Sequence, residues 1–470
     1  MCTLHALVRN LSSVVVVMLV AGLLAAPPAA AQTAPAPPTA ADFAKLQDEL
    51  TSLRNEVASL RAAIGELGAA SGPSAQLPAP QTVARDVQPP ISQVTPEMLD
   101  VLKSQIEEHA QSKVESASRM PVKLTGTILT NTYVNSGEGN WQENPNLVGN
   151  PSTESGARGS MSATARQSRI GLDVGGIDVG NWQASGTIIA DFLGGVPGFQ
   201  TGTAMGLPRL LYAFGRVESD RTAVEIGQDH AILAPRDPTS LAAFSFPLLF
   251  RSGNLYLRVP QARVERKLRG DLTATVGIVA PIAGDAASSY DFAPPPGTGE
   301  RSMRPAFEGR LGFARGSTDT PREINVGVSG HYGWRRSVNE LNEAWAVALD
   351  FNGRAGRIGA AGEYFAADNA EPFGGGISQG GRASGGWAEG RFSLTEQATL
   401  TGGFGRDKPA DALGRVLRQD NRTLFASAIV KLTPEVSASL EYRWMQTRLG
   451  STAPVSRENN HVNAVFAVKF

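Results

Sequence analysis

The chain has 470 residues, 41% of them hydrophobic and 7% aromatic, with a formal net charge of −1. This composition excludes both an intrinsically disordered chain and a bundle of membrane helices, and a charge so near zero gives no support to nucleic-acid binding. The single cysteine, Cys2, falls in a segment expected to be removed, so the mature chain is expected to carry no disulfide.

Residues 1–31 read as a secretory signal peptide: Arg9 precedes the apolar run from Val14 to Ala26, and Ala29-Ala30-Ala31 supply an A-x-A cleavage site before Gln32. The apolar run is shorter than the roughly 20 residues a membrane-spanning helix needs. Residues 32–42 form a Pro/Ala linker. Over 43–68, Phe43, Leu46, Leu50, Leu53, Val57, Leu60, Ile64 and Leu67 recur at alternating spacings of three and four, the pattern of a coiled coil. Residues 69–94 are a second Pro-rich linker, stiff and extended. Residues 95–120 are expected to be a short helix and connector, opened by Thr95 as N-cap and Pro96 at the first helical position. The extension over 32–120 is expected to lie in the periplasm, and the barrel that follows in the outer membrane.

From 121 to 470 the periodicity becomes two, and sixteen strands are expected, the first over 122–134 and the last over 458–470. Every second connection is short, as at 218–220, 268–270 and 353–355, whereas the others are mostly long and rich in Gly, Pro and Asp. Tight turns at one end and long loops at the other mark an outer-membrane barrel; a soluble β-sandwich would vary its turns without this alternation. The two faces of the strands differ as well. Ile324, Val326, Val328, Tyr332 and Trp334 alternate with Asn325, Gly327, Ser329 and His331, and Leu440, Tyr442 and Trp444 with Ser439, Glu441 and Arg443. The apolar set is expected to face lipid, with aromatic girdles near the strand ends. The last strand turns Val462, Phe466 and Phe470 outward and is expected to close on the first. The fold class is therefore all-β: a 16-stranded antiparallel transmembrane β-barrel preceded by an N-terminal periplasmic α-helical coiled coil. A barrel of this size encloses an aqueous channel rather than a side-chain core.

Between the fifth and sixth strands, Ala234-Pro235-Arg236-Asp237-Pro238 cannot continue a ladder, because each proline lacks an N–H donor. The returning stretch Phe244-Ser245-Phe246-Pro247-Leu248-Leu249-Phe250 is too apolar to hang in water. This third outer loop is expected to fold into the barrel and narrow it, an external lid being the competing reading. Lumen-facing parity places Arg169, Arg209, Arg304, Arg310, Arg391 and Arg443 inside, together with Asp191, Glu225, Glu265, Glu308, Asp350, Glu363, Glu389 and Glu441. Arg258 and Arg263 have opposite parity, and a β-bulge at Pro260 is expected to point both inward. Arginine suits carboxylate solutes through its bidentate fork, although the same arginines can brace the wall against acids on neighbouring strands. The candidate pore-lining and substrate-binding residues are Arg258, Gln261 and Arg263 beside the loop, Arg236 and Asp237 on it, and Arg169, Arg304, Glu308, Arg310 and Arg443 on the wall.

In their order and spacing, Arg166-Gln167-Ser168-Arg169-Ile170-Gly171, Gly227-Gln228, Arg258-Val259-Pro260-Gln261-Ala262-Arg263, Glu441-Tyr442-Arg443 and the terminal Phe470 resemble the DcaP-like porins of Gram-negative outer membranes. A coiled coil ahead of the barrel is similar to that family too. The resemblance, which covers residues 122–470, implies a homotrimer of 16-stranded barrels, an inward third loop and passive uptake of small anionic solutes such as dicarboxylates. The chain departs from the pattern after Gly227-Gln228, where Asp229-His230-Ala231-Ile232-Leu233 replace the aromatic and acidic residues expected there. Outer-membrane lipid and lipopolysaccharide are expected partners, and the cell wall is another through the coiled coil.

No enzymatic activity, cofactor or metal is expected. His109, His230, His331 and His461 show neither a metal spacing nor a Ser/Asp partner. Gly374-Gly375-Gly376 precedes no P-loop lysine and is expected in a flexible outer loop; Arg269-Gly270-Asp271 reads as a hairpin turn. Two other functions compete with that of a porin. One is a structural protein that tethers the envelope through its coiled coil, its barrel a plugged anchor. The other is a trimeric autotransporter, disfavoured because one chain here supplies all sixteen strands.

Overall fold

The computed structural model describes residues 122–150, 159–195, 205–244, 246–281, 296–316, 320, 322–337, 340–410, 418–450 and 453–470. The signal peptide, coiled coil, linkers and short helix expected over 1–120 lie outside the described residues.

Seventeen strand segments form one antiparallel sheet. The first six are β1 (Val122–Asn135), β2 (Ser160–Thr164), β3 (Arg169–Val179), β4 (Trp182–Asp191), β5 (Arg209–Glu218) and β6 (Thr222–His230). There follow β7 (Arg258–Lys267), β8 (Leu272–Val279), β9 (Ala306–Arg315), β10 (Arg322–Ser337), β11 (Glu340–Ala355) and β12 (Ile358–Asp368). The last are β13 (Arg382–Ser393), β14 (Ala398–Pro409), β15 (Arg418–Lys431), β16 (Val436–Leu449) and β17 (Val455–Lys469). Because β2 and β3 both pair with β1, they are two halves of one stave, and seventeen segments make a barrel of sixteen. A turn between Ala165 and Ser168 parts the halves. There the Ser168 hydroxyl stands in for the ladder, accepting from Leu129 N–H at 3.0 Å and donating to Leu129 O at 3.2 Å.

Closure follows from the register of β17 on β1, continuous from Thr127↔Lys469 to Asn135↔His461. Phe470 completes the seam: its backbone exchanges hydrogen bonds with Gly126, and its ring would lie 2.4 Å from a Cβ at that position. Only glycine admits so close an approach. The expected strands are found within a few residues at each end. The clearest difference is β3, which continues to Val179 through a bulge between Val174 and Ile177 instead of ending at 174.

Apolar side chains of the outward set stay exposed, among them Leu349 at 56%, Tyr364 at 57% and Leu440 at 58%, as lipid rather than water requires. Tyr332, Trp334 and Phe307 stack edge-on near the outer ends of β9 and β10, forming part of a girdle. The buried apolar groups lie on the other side of the wall, between it and chain folded into the lumen.

Candidate functional site

The β5–β6 ladder ends at Ala213↔Gln228 and the β7–β8 ladder at Gln261↔Val279, yet β6 and β7 stay paired out to His230↔Arg258. The tip of this hairpin therefore stands clear of its neighbours and leans into the barrel. Gly227 makes the departure possible: its φ is +140°, and a Cβ there would sit 2.2 Å from Ala213 O. Gln228 Nε2 then donates to Leu210 O and Leu211 O at 3.2 and 3.1 Å, occupying carbonyls that the bulge in β5 leaves available.

From this tip residues 231–257 travel around the inner wall, and the wall's carboxylates hold them there. Glu308 on β9 accepts from the N–H groups of Ile232 and Leu233 at 2.6 and 3.1 Å. Glu363 on β12 accepts from Arg236 N–H at 2.7 Å. Glu389 on β13 accepts from both N–H and hydroxyl of Thr239 at 2.8 Å, and Glu441 on β16 from the Ser240 hydroxyl at 2.6 Å. Beyond that point amides take over. Gln167 Nε2 donates to Ala242 O at 2.8 Å while its Oε1 accepts from Phe244 N–H at 2.9 Å. Asn421 on β15 donates to Arg251 O at 2.7 Å. A buried carboxylate or amide with such partners is satisfied, whereas an amide left bare costs about 1–3 kcal/mol and a carboxylate more.

The same segment brings apolar surface inward. Leu248 and Leu249 pack on Ala361, Trp387 and Phe425 of the wall, and Phe246 and Phe250 on Tyr256, with Trp141 and Leu193 beside them. Ala234, Leu249 and Arg251 take left-handed φ values of 49°, 65° and 64°, a strain of about 1–3 kcal/mol each that persists only where surroundings over-determine the backbone. Gly253 is one such constraint, since a Cβ there would meet Gly386 O at 2.1 Å. The first outer loop folds in too: Asn144 donates to Phe246 O at 3.1 Å, and Val148 N–H to the Thr447 hydroxyl at 2.8 Å. Gly374-Gly375-Gly376, expected to be flexible, is instead buried between two short 3₁₀ turns, and a Cβ at 374 would lie 2.4 Å from the Phe250 ring.

With this geometry the chain can be set beside known proteins. No family model matches it, and no curated protein matches it in sequence. Among solved structures it is similar to the outer-membrane channel DcaP of Acinetobacter baumannii, at 15% identity and a TM-score of 0.56, over 75% of this chain and 97% of that one. The barrel has the fold of an outer-membrane channel. It is also similar to OprB of Pseudomonas putida (8% identity, TM-score 0.49, 77% of this chain and 97% of that). An anion-selective porin from Comamonas acidovorans is a further match (12% identity, TM-score 0.48, 75% and 100%). The likeness to DcaP read from the motifs thus recurs in the fold. Three of the motifs meet the inward chain. Arg166 pairs with Glu143, Gln167 and Arg169 hold residues 242–244, Gly227-Gln228 releases the hairpin, and Glu441 and Arg443 hold Ser240 and Asn144.

Within this channel fold the candidate residues fall into three groups. Arg263, Arg310, Arg236 and Asp237 face the lumen. Arg263 bonds Glu225 and Asp229 at 2.9 and 2.5 Å, and Arg310 grips Asp350 in a fork at 3.0 and 2.7 Å, an arrangement that Gly312 and Gly327 leave room for. Arg236 shares Asp350 from the other side at 3.0 Å; Asp237 keeps 43% of its side chain exposed, with His230 3.9 Å away. A second group is inside but covered. Arg258 is 2% exposed between the rings of Tyr212 and Tyr256, Arg443 is 2% exposed against Glu441 and Asn144, and Glu308 and Gln261 are buried. Arg169 lies over Phe244 at 4.0 Å. The expected bulge at Pro260 does not occur, since the β6–β7 register is unbroken; Arg258 turns inward because the whole hairpin tip leaves the wall.

Arg304 is the third case and a correction: it stacks on outward-facing Trp334 at 5.1 Å. The strand begins at Ala306, and a 3₁₀ turn ending in left-handed Met303 precedes it, so parity counted back from β9 does not reach residue 304. Sequence reading missed Arg216, which bonds Glu218 at 3.0 Å and approaches Glu225 at 3.5 Å: it has the opposite parity to Arg209, and only the bulge in β5 turns both inward. It also missed Thr239, Ser240 and Asn144, whose roles depend on which loops fold in. Burial pushes the Arg251 guanidinium down to about 10, with Arg418 adding to the effect. Among the described residues no group of His, Cys, Asp or Glu is arranged to hold a metal ion.

Proposed function

We propose that the protein is an outer-membrane porin, a homotrimer of barrels through which small hydrophilic, anionic solutes of the dicarboxylate class diffuse past a narrowing made by residues 231–257. One observation carries the charge preference. In three ion pairs of the lumen the guanidinium is more exposed than its acid: 18% against 2% for Arg263 and Glu225, 16% against 0% for Arg310 and Asp350, and 28% against 1% for Arg391 and Glu389. The carboxylates are turned into the wall and the loop, so a passing solute meets cations. Asp237 and Glu265, at 43% and 35%, are the acids that moderate this field. At an effective dielectric of about 20, a carboxylate about 4 Å from one such charge gains roughly 4 kcal/mol before desolvation. In a wide vestibule the same charge is screened within about 10 Å at 0.1 M salt.

The test is single-channel recording of the full-length protein in a planar bilayer under a salt gradient. The expected result is an open channel with anion preference, and Arg263→Ala with Arg310→Ala moving the reversal potential towards cations while Arg169→Ala leaves it nearly unchanged. An unaltered preference in the double variant would assign these arginines to bracing alone. A protein silent at every voltage would be the plugged envelope anchor, the reading favoured by the loop-filled outer part of β15 to β17.

A further inference from the structure

The outward face of the barrel changes character on β14 and β15. Leu400, Phe404 and Leu424 are exposed, as lipid contact requires, but two residues further out on each strand come Arg406 and Arg422, with Lys408 beyond Arg406 on the same face. Arg406 and Arg422 are direct cross-strand partners, and like charges so placed repel. Among the described residues one carboxylate intervenes. Asp420, 7% exposed, accepts from Arg406 Nε and Nη2 at 2.9 and 2.8 Å and lies 3.7 Å from Arg422 Nη2. Its own cross-strand partner is a further cation, Arg448. Two arginines thus share one acid, with Lys408 and Arg448 at neighbouring positions on the same face, and the side chains of Arg406 and Arg422 remain 46% and 40% exposed. On the β16 side, Glu458 is engaged by Gln446 at 2.7 Å.

We propose that this cluster seats a phosphate of a lipid headgroup in the outer leaflet, the phosphorylated glycolipid of lipopolysaccharide, with its acyl chains on Phe404 and Leu424. A phosphate monoester carries up to two charges and three acceptor oxygens, which matches guanidinium groups held on adjacent strands at fixed spacing. The height of the cluster agrees: it stands immediately beyond the apolar belt, where a headgroup sits and chains do not. The inference rests on the outward face of the barrel meeting the membrane and is independent of what passes through the lumen.

The test is a lipid titration of the full-length protein by native mass spectrometry. The probes are diphosphoryl lipid A, dephosphorylated lipid A, phosphatidylcholine and inorganic phosphate. Diphosphoryl lipid A should bind at least about ten-fold more tightly than the dephosphorylated form, the value of one charge-assisted hydrogen bond. Arg406→Gln with Asp420→Asn and Arg422→Gln should lose that preference, and Arg382→Gln on the same rim should keep it. Should the triple variant fail to show the heat-modified migration of a folded barrel, Lys408→Gln with Arg448→Gln, which breaks none of the Asp420 contacts above, should still weaken the preference severalfold. Equal binding of both lipid A forms, retention of the preference in a folded cluster variant, or inorganic phosphate binding as tightly as lipid A would overturn the proposal; the last would mark a seat for free anions.

Discussion

Two arcs of the inner wall obey the same alternation and are put to different uses. From β15 to β17 and on to β1 the inward side chains of the outer half are mainly amides and hydroxyls, and Asn421, Thr447, Asn459, His461, Asn463 and Asn131 are all 0% exposed beneath the first and third outer loops. From β5 to β13 the inward set includes arginines and acids, and Arg216, Arg263, Arg310 and Arg391 stay partly exposed beside apolar groups such as Ala346, Phe365 and Ala367 that lie under the inward segment. The first arc binds chain through amides; the second binds it through Glu308, Glu363 and Glu389 and leaves those arginines partly open. An uncharged amide that finds backbone partners can be buried at little cost, whereas a buried charge needs a geometrically good partner to break even. Chain therefore covers the amide arc, while on the charged arc it rests on carboxylates and apolar groups and leaves arginines partly exposed.

The comparison predicts that stability and selectivity respond to different arcs. Arg443→Ala has the largest expected effect: it strips Glu441, 1% exposed, of its ionic partner and should cost about 3–5 kcal/mol in unfolding from lipid vesicles by denaturant, with the reversal potential unchanged. Asn135→Leu comes next. This amide accepts from Asn459 Nδ2 at 2.9 Å, faces His461 Nδ1 at 2.9 Å and donates to Gln142 O at 2.8 Å, so the same measurement should show a loss of about 1–3 kcal/mol. Thr239→Ala removes one of two bonds to Glu389 and keeps the N–H. It should cost about 1 kcal/mol and broaden the open-channel current as the segment loosens. Deleting residues 32–77 should have the smallest effect, leaving heat-modified migration and conductance of the barrel as they were. A large shift of selectivity with Arg443→Ala, or none of stability, would erase the distinction between the arcs.

The barrel itself was legible because one face of each strand must tolerate lipid: Val347, Leu349 and Phe351 are exposed and Ala346 and Ala348 buried in the alternation their sequence shows. The closing seam at Phe470 was legible for the same reason. The site was legible only in part. Parity put Arg310 and Arg443 on the same face, and so they are, but nothing local to a strand tells which of two inward arginines a distant loop will cover. At Arg258 the premise itself lapsed, since parity assigns a face only while the strand remains in the wall. Trp387 and Phe425, inward-facing and apolar, mark where the segment rests; large apolar groups on the lumen side are a signal that would have located it.

The proposed path for solutes runs along the exposed arginines of β5 to β13 and not along the amide arc, and cysteine accessibility tests it most directly. Cys2 is the chain's only cysteine, so single cysteines can be introduced as Asp237→Cys on the inward segment and Asn463→Cys on the amide arc. Current is then recorded while a bulky, membrane-impermeant thiol reagent is added. The account predicts rapid block of the Asp237→Cys channel and no change in the Asn463→Cys channel; block at Asn463→Cys with Asp237→Cys unaffected would place the passage along the other wall and contradict it.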